Sequence, residues 1–416
     1  MQKSVGVGRK VLVTSGLTRL LQQPKHANYS TNSKSCNSRW FDPKDSQHIT
    51  TPVALYNTLS KSKVSLKIAK RLSDVPVINW YSCGPTVYDD THLGHARNYV
   101  CLDIIYRILA HYFNYPVLHV MGITDVDDKI LKRAAELGKQ PSEISRKYEF
   151  DFIEDMKKLN VIQPYVYTRV TEHIEEIKQF VEEMEKNGFT YTTANGGVYF
   201  DSKKFEQNDH YYGKLSPNNA QESIQQEHIE HREEKKDPRD FALWKFTSRD
   251  YLGWESKWGY GRPGWHIECS AMIDHIFNNK SGAATIDIHS GGIDLAFPHH
   301  NNEIAQSEAK NHAHFCCSRE TNWCNYFIHV GHLHIKGLKM SKSLKNFITI
   351  KDFLKRYSPD QFRIFCLLHQ YNQTLDYNED AIGEAIKVEK RILDFLHNIS
   401  KLLNFSKTPL HTLLIY

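Results

Sequence analysis

Apolar positions in this chain change period several times, and each change marks an element. Val77, Ile78, Trp80 and Tyr81 form a short apolar run that ends in Gly84-Pro85, the pattern of a buried strand and a turn. Leu93, Ala96, Val100, Ile104, Ile105 and Ile108 then recur near helical spacing, so the segment reads strand, loop, helix. A second helix is expected through Ile174, Ile177, Phe180, Val181 and Met184, stopped by Gly188. From Ser202 to Pro238 the chain turns polar and includes the charge run at 233–236, which reads as part of an insertion with a flexible stretch near 214–236. Apolar spacing resumes with DFALWK at 241–246 and WCNYFIHVGHLHI at 323–335. From Ile350 onward Phe353, Leu354, Phe362, Phe365, Ile382, Ile386 and Leu393 predict helices to the end. No internal repeat is visible, and no apolar run approaches the roughly 18 residues a membrane span needs.

Composition adds that 416 residues, 40% hydrophobic and 24% charged, can bury two or three domain cores. Eight cysteines without a regular disulfide spacing suit a reducing compartment or metal use. The formal charge of +5 is not a nucleic-acid footprint. Residues 1–41 carry seven Lys or Arg and no acid, leaving 46 basic against 48 acidic residues in the rest. Any RNA-binding face must therefore come from local patches. That basic, Ser/Thr-rich leader contains VLVTSGLTRLL, which can form an amphipathic helix and reads as a mitochondrial transit peptide removed between about 25 and 40. A basic tail is its plain alternative.

Candidate chemistry concentrates in two distant stretches, YSCGPTVYDDTHLGHARNY at 81–99 and LKMSKSLKN at 338–346. His92 and His95 fall three apart at a helix start, where backbone N–H groups and the helix dipole favour a phosphate and two imidazoles can donate to charge developing on it. Lys339 and Lys342 stand on a short polar segment that can close over a triphosphate. Taken singly, each stretch could be no more than surface histidines or a solvated lysine loop. Cys83, Cys269, His299 and Glu303 form a possible metal set, with the last two placed four apart on one side of a helical turn. A rival cluster, His312, His314, Cys316, Cys317 and Cys324, does not match finger spacing.

In this order the two stretches resemble the H-I-G-H and K-M-S-K-S signatures of class I aminoacyl-tRNA synthetases. YSCGPTVYD, HLGHAR, GITDVDDKI, DFALWK, PGWHIECSAM, DIHSGGIDLAFPHHNNEIAQSEA and KMSKSLKN follow the succession seen in cysteinyl-tRNA synthetases, from about Leu55 to about Asp380. The resemblance implies an α/β fold: a Rossmann-like parallel-sheet catalytic domain split by an insertion and followed by an incomplete α-helical domain. Its parts would be a leader at 1–40, a first half at 50–160, a connective insertion at 161–240, a second half at 241–349 and the start of a tRNA-stem-contacting helical domain at 350–416.

The resemblance further implies one Zn²⁺ on Cys83, Cys269, His299 and Glu303, with the substrate thiolate as an added ligand. ATP, carrying Mg²⁺, would meet Gly84, Gly94 and Lys342, with His92, His95, Lys339 and Lys342 catalytic, and Thr124, Trp265 and Asp294 would line the amino-acid pocket. Partners would be ATP, L-cysteine and tRNA(Cys), in a monomer of the mitochondrial matrix with no membrane association. The chain departs from the family at Ser290, Asn301 and Lys345, and by stopping at Tyr416 without an anticodon-reading domain, which reads as a truncated form. Two other functions share these features: a related ligase joining cysteine to an amino sugar, and a noncatalytic tRNA-binding or regulatory protein.

Overall fold

The computed structural model describes residues 39–71, 75–216, 235–278, 285–315, 320–340 and 346–402. Its centre is a five-stranded sheet of β1 (Ile78–Thr86), β2 (Val117–Thr124), β3 (Val166–Arg169), β4 (Ile286–Gly292) and β5 (Cys324–Val330). All four strand pairings are parallel and the spatial order is β3-β2-β1-β4-β5. That is the Rossmann-like order in which the chain reverses direction of travel beside β1, leaving a crevice at the carboxyl ends of β1 and β4. The α/β reading of the sequence holds.

Sheet alternation sorts the core into two layers. Ile78 and Trp80 of β1 join a cluster with Leu93, Ala96 and Val100 of helix α1 (Leu93–Arg107). Tyr81 and Cys83, pointing the other way, join Ile267, Cys269 and Met272 of helix α2 (Trp265–Phe277). Burial on both faces explains why β1 and β5 read as continuous apolar runs rather than alternating ones.

Three differences from the sequence expectation concern where elements lie. β3 belongs to the parallel sheet although it falls past residue 160, inside the stretch read as insertion; its four residues, VYTR, carry no apolar run to announce it. DFALWK contributes Ala242–Phe246 to a separate four-stranded antiparallel sheet with Thr190–Thr192, Val198–Phe200 and Gly261–Pro263, and the parallel sheet resumes only at Ile286. Beyond 350 the region is not purely helical, because Leu375–Tyr377 pairs in parallel with Leu333–Ile335. Helix α3 (Asn301–Lys310) follows β4, and α4 (Pro359–Leu367) packs on α1 ahead of the long helix Glu379–Leu402. The leader and most of the stretch expected to be flexible lie outside the described residues, but Lys214, Leu215 and Ser216 are buried, with Lys214 paired to Glu308 at 2.5 Å. Among the described residues no helix is long and apolar enough to cross a membrane.

Candidate functional site

The crevice at the ends of β1 and β4 opens into a cleft of about 540 Å³. Cys83, Gly84, His92, Gly94, His95, Thr124, Trp265, Cys269, Asp294, His299 and Lys339 all line it, so residues drawn from across 257 positions meet in one place. Glu303 lies just behind the wall, fully buried in the first turn of α3. Lys342 falls outside the described residues. Gly84 lets β1 pass close to β2, since a Cβ there would overlap the Gly122 carbonyl.

At one end of the cleft, Cys83 from β1, Cys269 from α2, and His299 and Glu303 around the start of α3 each offer one ligand atom, all within 4.8 Å of one another. Cys83 Sγ lies 3.7 Å from Cys269 Sγ, 3.6 Å from His299 Nε2 and 3.6 Å from Glu303 Oε1. For metal bonds of about 2.3 Å to sulfur and about 2.0–2.1 Å to nitrogen or oxygen, a regular tetrahedron has edges of about 3.8 Å between sulfurs and about 3.5–3.6 Å from sulfur to nitrogen or oxygen. Three of the edges therefore already fit a four-coordinate ion. Of the six edges a further one, His299 Nε2 to Glu303 Oε1 at 2.8 Å, is a direct ion-pair contact that coordination would open.

The electrostatics suit this donor set. Burial pushes the Cys83 thiol up, while the hydrogen bond from Cys83 holds Cys269 below the ordinary thiol range. Burial works against the charge on Glu303, yet His289 and His299 hold its carboxyl down at about 2. Burial likewise works against a charge on His299, yet Glu303 and Cys269 together raise it to about 10.

Sequence reasoning missed the layer behind these four. His289 of β4 holds the second carboxylate oxygen of Glu303 and touches the Tyr81 carbonyl at 3.2 Å. His300 Nε2 lies 3.3 Å from Cys83 Sγ, and its Nδ1 meets His329 Nε2 at 2.7 Å. Cys83, His289, His300 and Glu303 also cluster within 4.8 Å, but the imidazoles are engaged as supports, the role of residues that orient metal ligands. The only signal was the density of histidine in DIHSGG and PHH, with no spacing to say which ones face the ligand atoms. Trp265 stacks on His299 at 4.4 Å, so it braces a donor as well as lining the cleft. Thr124 donates to Glu268 at 3.2 Å, a buried carboxyl that desolvation pushes well up. In the rival cluster, His312 pairs with His210 at 2.7 Å, Cys324 contacts backbone carbonyls, and Cys316 and Cys317 lie outside the described residues.

The other end of the cleft is the start of α1. His92 is the N-cap, and its Nδ1 accepts from the Gly94 N–H at 3.1 Å; His95 Nδ1 accepts from the His92 N–H at 3.2 Å. The rings stack at 4.0 Å. The expectation that unpaired N–H groups here favour a phosphate needs correction, because Leu93 N–H also has a partner, the Ile348 carbonyl at 3.0 Å. With Nδ1 accepting, the proton of each neutral ring is on Nε2, making it a donor. Lys339 lies 3.8 Å from Asp294, and His332 lies 3.6 Å from the same carboxylate. Although the cleft partly desolvates this half-exposed side chain, the contacts from His332 and Lys339 hold the Asp294 carboxyl well below the usual range.

Residues 70–387 match the family of tRNA synthetases class I (C) catalytic domain. The chain is 46% identical over 378 residues to a cytoplasmic cysteine--tRNA ligase of Dictyostelium discoideum, covering 89% of this chain and 54% of that protein. It is 46% identical over 362 residues to a probable mitochondrial cysteine--tRNA ligase of Xenopus tropicalis, covering 86% and 58%. A cysteine--tRNA ligase of Thermococcus onnurineus is 46% identical over 347 residues, covering 83% and 68%. The chain thus spans a little over half the length of the two eukaryotic relatives. Among solved structures, Mycobacterium tuberculosis methionyl-tRNA synthetase in complex with methionyl-adenylate superposes with a TM-score of 0.58 at 18% identity, covering 74% of this chain and 68% of that one, a likeness of fold alone.

Proposed function

The chain belongs to the tRNA synthetase class I (C) catalytic-domain family, and from that premise we propose that it activates L-cysteine with ATP and passes the cysteinyl group to tRNA(Cys). The observation that carries this reading is the pairing, within one cleft, of a clustered two-sulfur donor set with two histidines at a helix start. The first selects the thiol of cysteine, the second acts on the α-phosphate of ATP.

Cys83, Cys269, His299 and Glu303 would hold zinc, whose chemistry when bound is to favour a thiolate over a hydroxyl far more strongly than an apolar pocket can. Trp265 keeps His299 in place and Thr124 and Asp294 border the amino acid. The carboxylate of cysteine attacks the α-phosphorus of ATP in line, a new C–O–P link forms, and pyrophosphate leaves with its Mg²⁺. The Nε2–H groups of His92 and His95 donate to the charge building on the phosphate oxygens, where preorganised donors act most strongly. Lys339 and Lys342 neutralise the departing pyrophosphate, and Gly84 and Gly94 leave room for the nucleotide. No side chain need become covalently attached; the catalytic effect comes from position and charge. The terminal ribose hydroxyl of the tRNA then displaces AMP.

The basic leader supports a site of action in the mitochondrial matrix, where we propose that the chain works as a monomer. Cysteine-dependent ATP–pyrophosphate exchange tests the reading. Exchange with cysteine and not with serine is expected; none from folded, zinc-containing protein would refute it.

A further inference from the structure

The chain that leaves the lysine segment is fastened to the cap of α1. Asn346 Nδ2 donates to the Lys339 carbonyl at 3.1 Å, so the two described ends of that segment meet. Beyond them Thr349 lies opposite His92 in an antiparallel bridge, closed by the Leu93 N–H on the Ile348 carbonyl at 3.0 Å and the Ile350 N–H on the Thr91 carbonyl at 3.3 Å. The Phe347 ring stands 6.1 Å from the His92 imidazole. His92 is therefore gripped from the side by the strand that follows the lysines.

Two sets of side chains hold this clasp, and the inner one is costly. Thr91, itself buried, donates its hydroxyl at 2.5 Å to Asp155 Oδ2, on the helix Pro141–Lys158. Asp155 is 1% exposed, and among the described residues its other carboxylate oxygen has no hydrogen-bond partner. A buried carboxyl with an idle oxygen lowers stability, so packing alone gives no reason to keep it there. On the outer side Lys351 reaches Asp90 at 3.4 Å and Asp151, on the same helix as Asp155, at 3.3 Å. Neither Thr91 nor Asp155 lines the cleft, so any effect on it passes through the backbone.

We propose that Thr91 and Asp155 are positioning residues for the adenylation step, which hold the strand 347–351 against His92 and so set His92 and the lysine segment in one frame. The hydroxyl fixes the Thr91 peptide, whose carbonyl holds Ile350. The returning bond from Leu93 to Ile348 then fixes the N-cap on which the His92 ring is mounted. The histidine and the lysines act on one triphosphate, so their separation matters: a misplacement near 1 Å can cost about 10²-fold in rate. This kinetic consequence rests on the ligase reading; the mechanical link between the two segments does not.

Hydrogen–deuterium exchange resolved to single amides, on the full zinc-containing chain, reads the clasp directly. In Thr91→Val the amides of Leu93 and Ile350 should speed up together, by a factor at least about tenfold larger than at Trp80 and Val120 in the central sheet. Thr91→Ser keeps the hydroxyl and should restore the native rates. Should Thr91→Val not fold, Lys351→Met carries the test, and both amides should again speed up together. In ATP–pyrophosphate exchange the kcat of Thr91→Val should fall about tenfold or more, with KM for cysteine and zinc content unchanged. Native rates at both amides, a gain at one without the other, a gain no larger than that of the sheet, or a raised KM for cysteine at unchanged kcat would overturn the proposal. A native chain that shows no ATP–pyrophosphate exchange would refute the ligase reading instead, and the amide rates would still decide whether the two segments are linked.

Discussion

The two ends of the cleft are built on opposite plans. At the sulfur end Cys83, Cys269, His299 and Glu303 are all 5% exposed or less, and His289, His300 and Trp265 contact Glu303, Cys83 and His299 respectively. At the lysine end the Lys339 and Asp294 side chains are 47% and 53% exposed and touch only loosely. Rigid, buried donors discriminate, because a misfitting atom cannot be accommodated by relaxation. Exposed charges on long side chains can follow a leaving group. Under the proposed function, the contrast gives selectivity to one end and charge neutralisation to the other.

The strongest challenge to this division is Cys269→Ser. It should abolish stoichiometric zinc binding, measured by metal analysis, while the circular dichroism of the sheet persists; retained zinc would mean that the donors are not the ones named. Next in size, His95→Ala removes one Nε2–H donor and should lower kcat for exchange by roughly 10²–10³-fold, the usual effect of losing such a donor. Zinc content should not change, and a variant that loses metal would show that the ends are not separable.

A third prediction concerns burial without metal. His119, hydrogen-bonded to Ser82 at 2.9 Å, is held neutral by burial, its pKa lowered to about 4. The unfolded chain binds a proton near pH 6.5 that the folded one refuses, so stability contributed by this group is full above 6.5 and falls as pH drops toward 4. The loss is about 3 kcal/mol by pH 4. Urea titrations of His119→Gln should show a shallower acid decline than the native chain; equal slopes would contradict it. The smallest effect expected is for His289→Gln, which loosens Glu303 and should weaken zinc affinity by about 10–100-fold with ligands intact. Unchanged affinity would make the buried support layer irrelevant to the sulfur end.

How much of this could be read in the sequence depended on distance along the chain. His92 and His95 were legible because three residues at a helix start fix their relation, and His299 with Glu303 because four residues do. Cys83 and Cys269 are 186 residues apart, and their meeting was available only through family resemblance. The supporting role of His289 depends on strand register, His289 opposite Tyr81, which no local pattern encodes. β3 was overlooked because its one buried position, Thr168, is polar while Val166 is exposed, so the four-residue edge strand leaves no apolar pattern in its sequence. DFALWK was assigned to the wrong sheet for a related reason: an apolar alternation declares a strand without declaring its partner.

X-ray absorption at the zinc edge, on the full chain before and after addition of cysteine, tests the central claim most directly. The donor set predicts two sulfur and two nitrogen or oxygen neighbours at first, and three sulfurs once cysteine is bound. A site with no sulfur neighbours, or a sulfur count that cysteine does not raise, would contradict the assignment of amino-acid selection to this corner of the cleft.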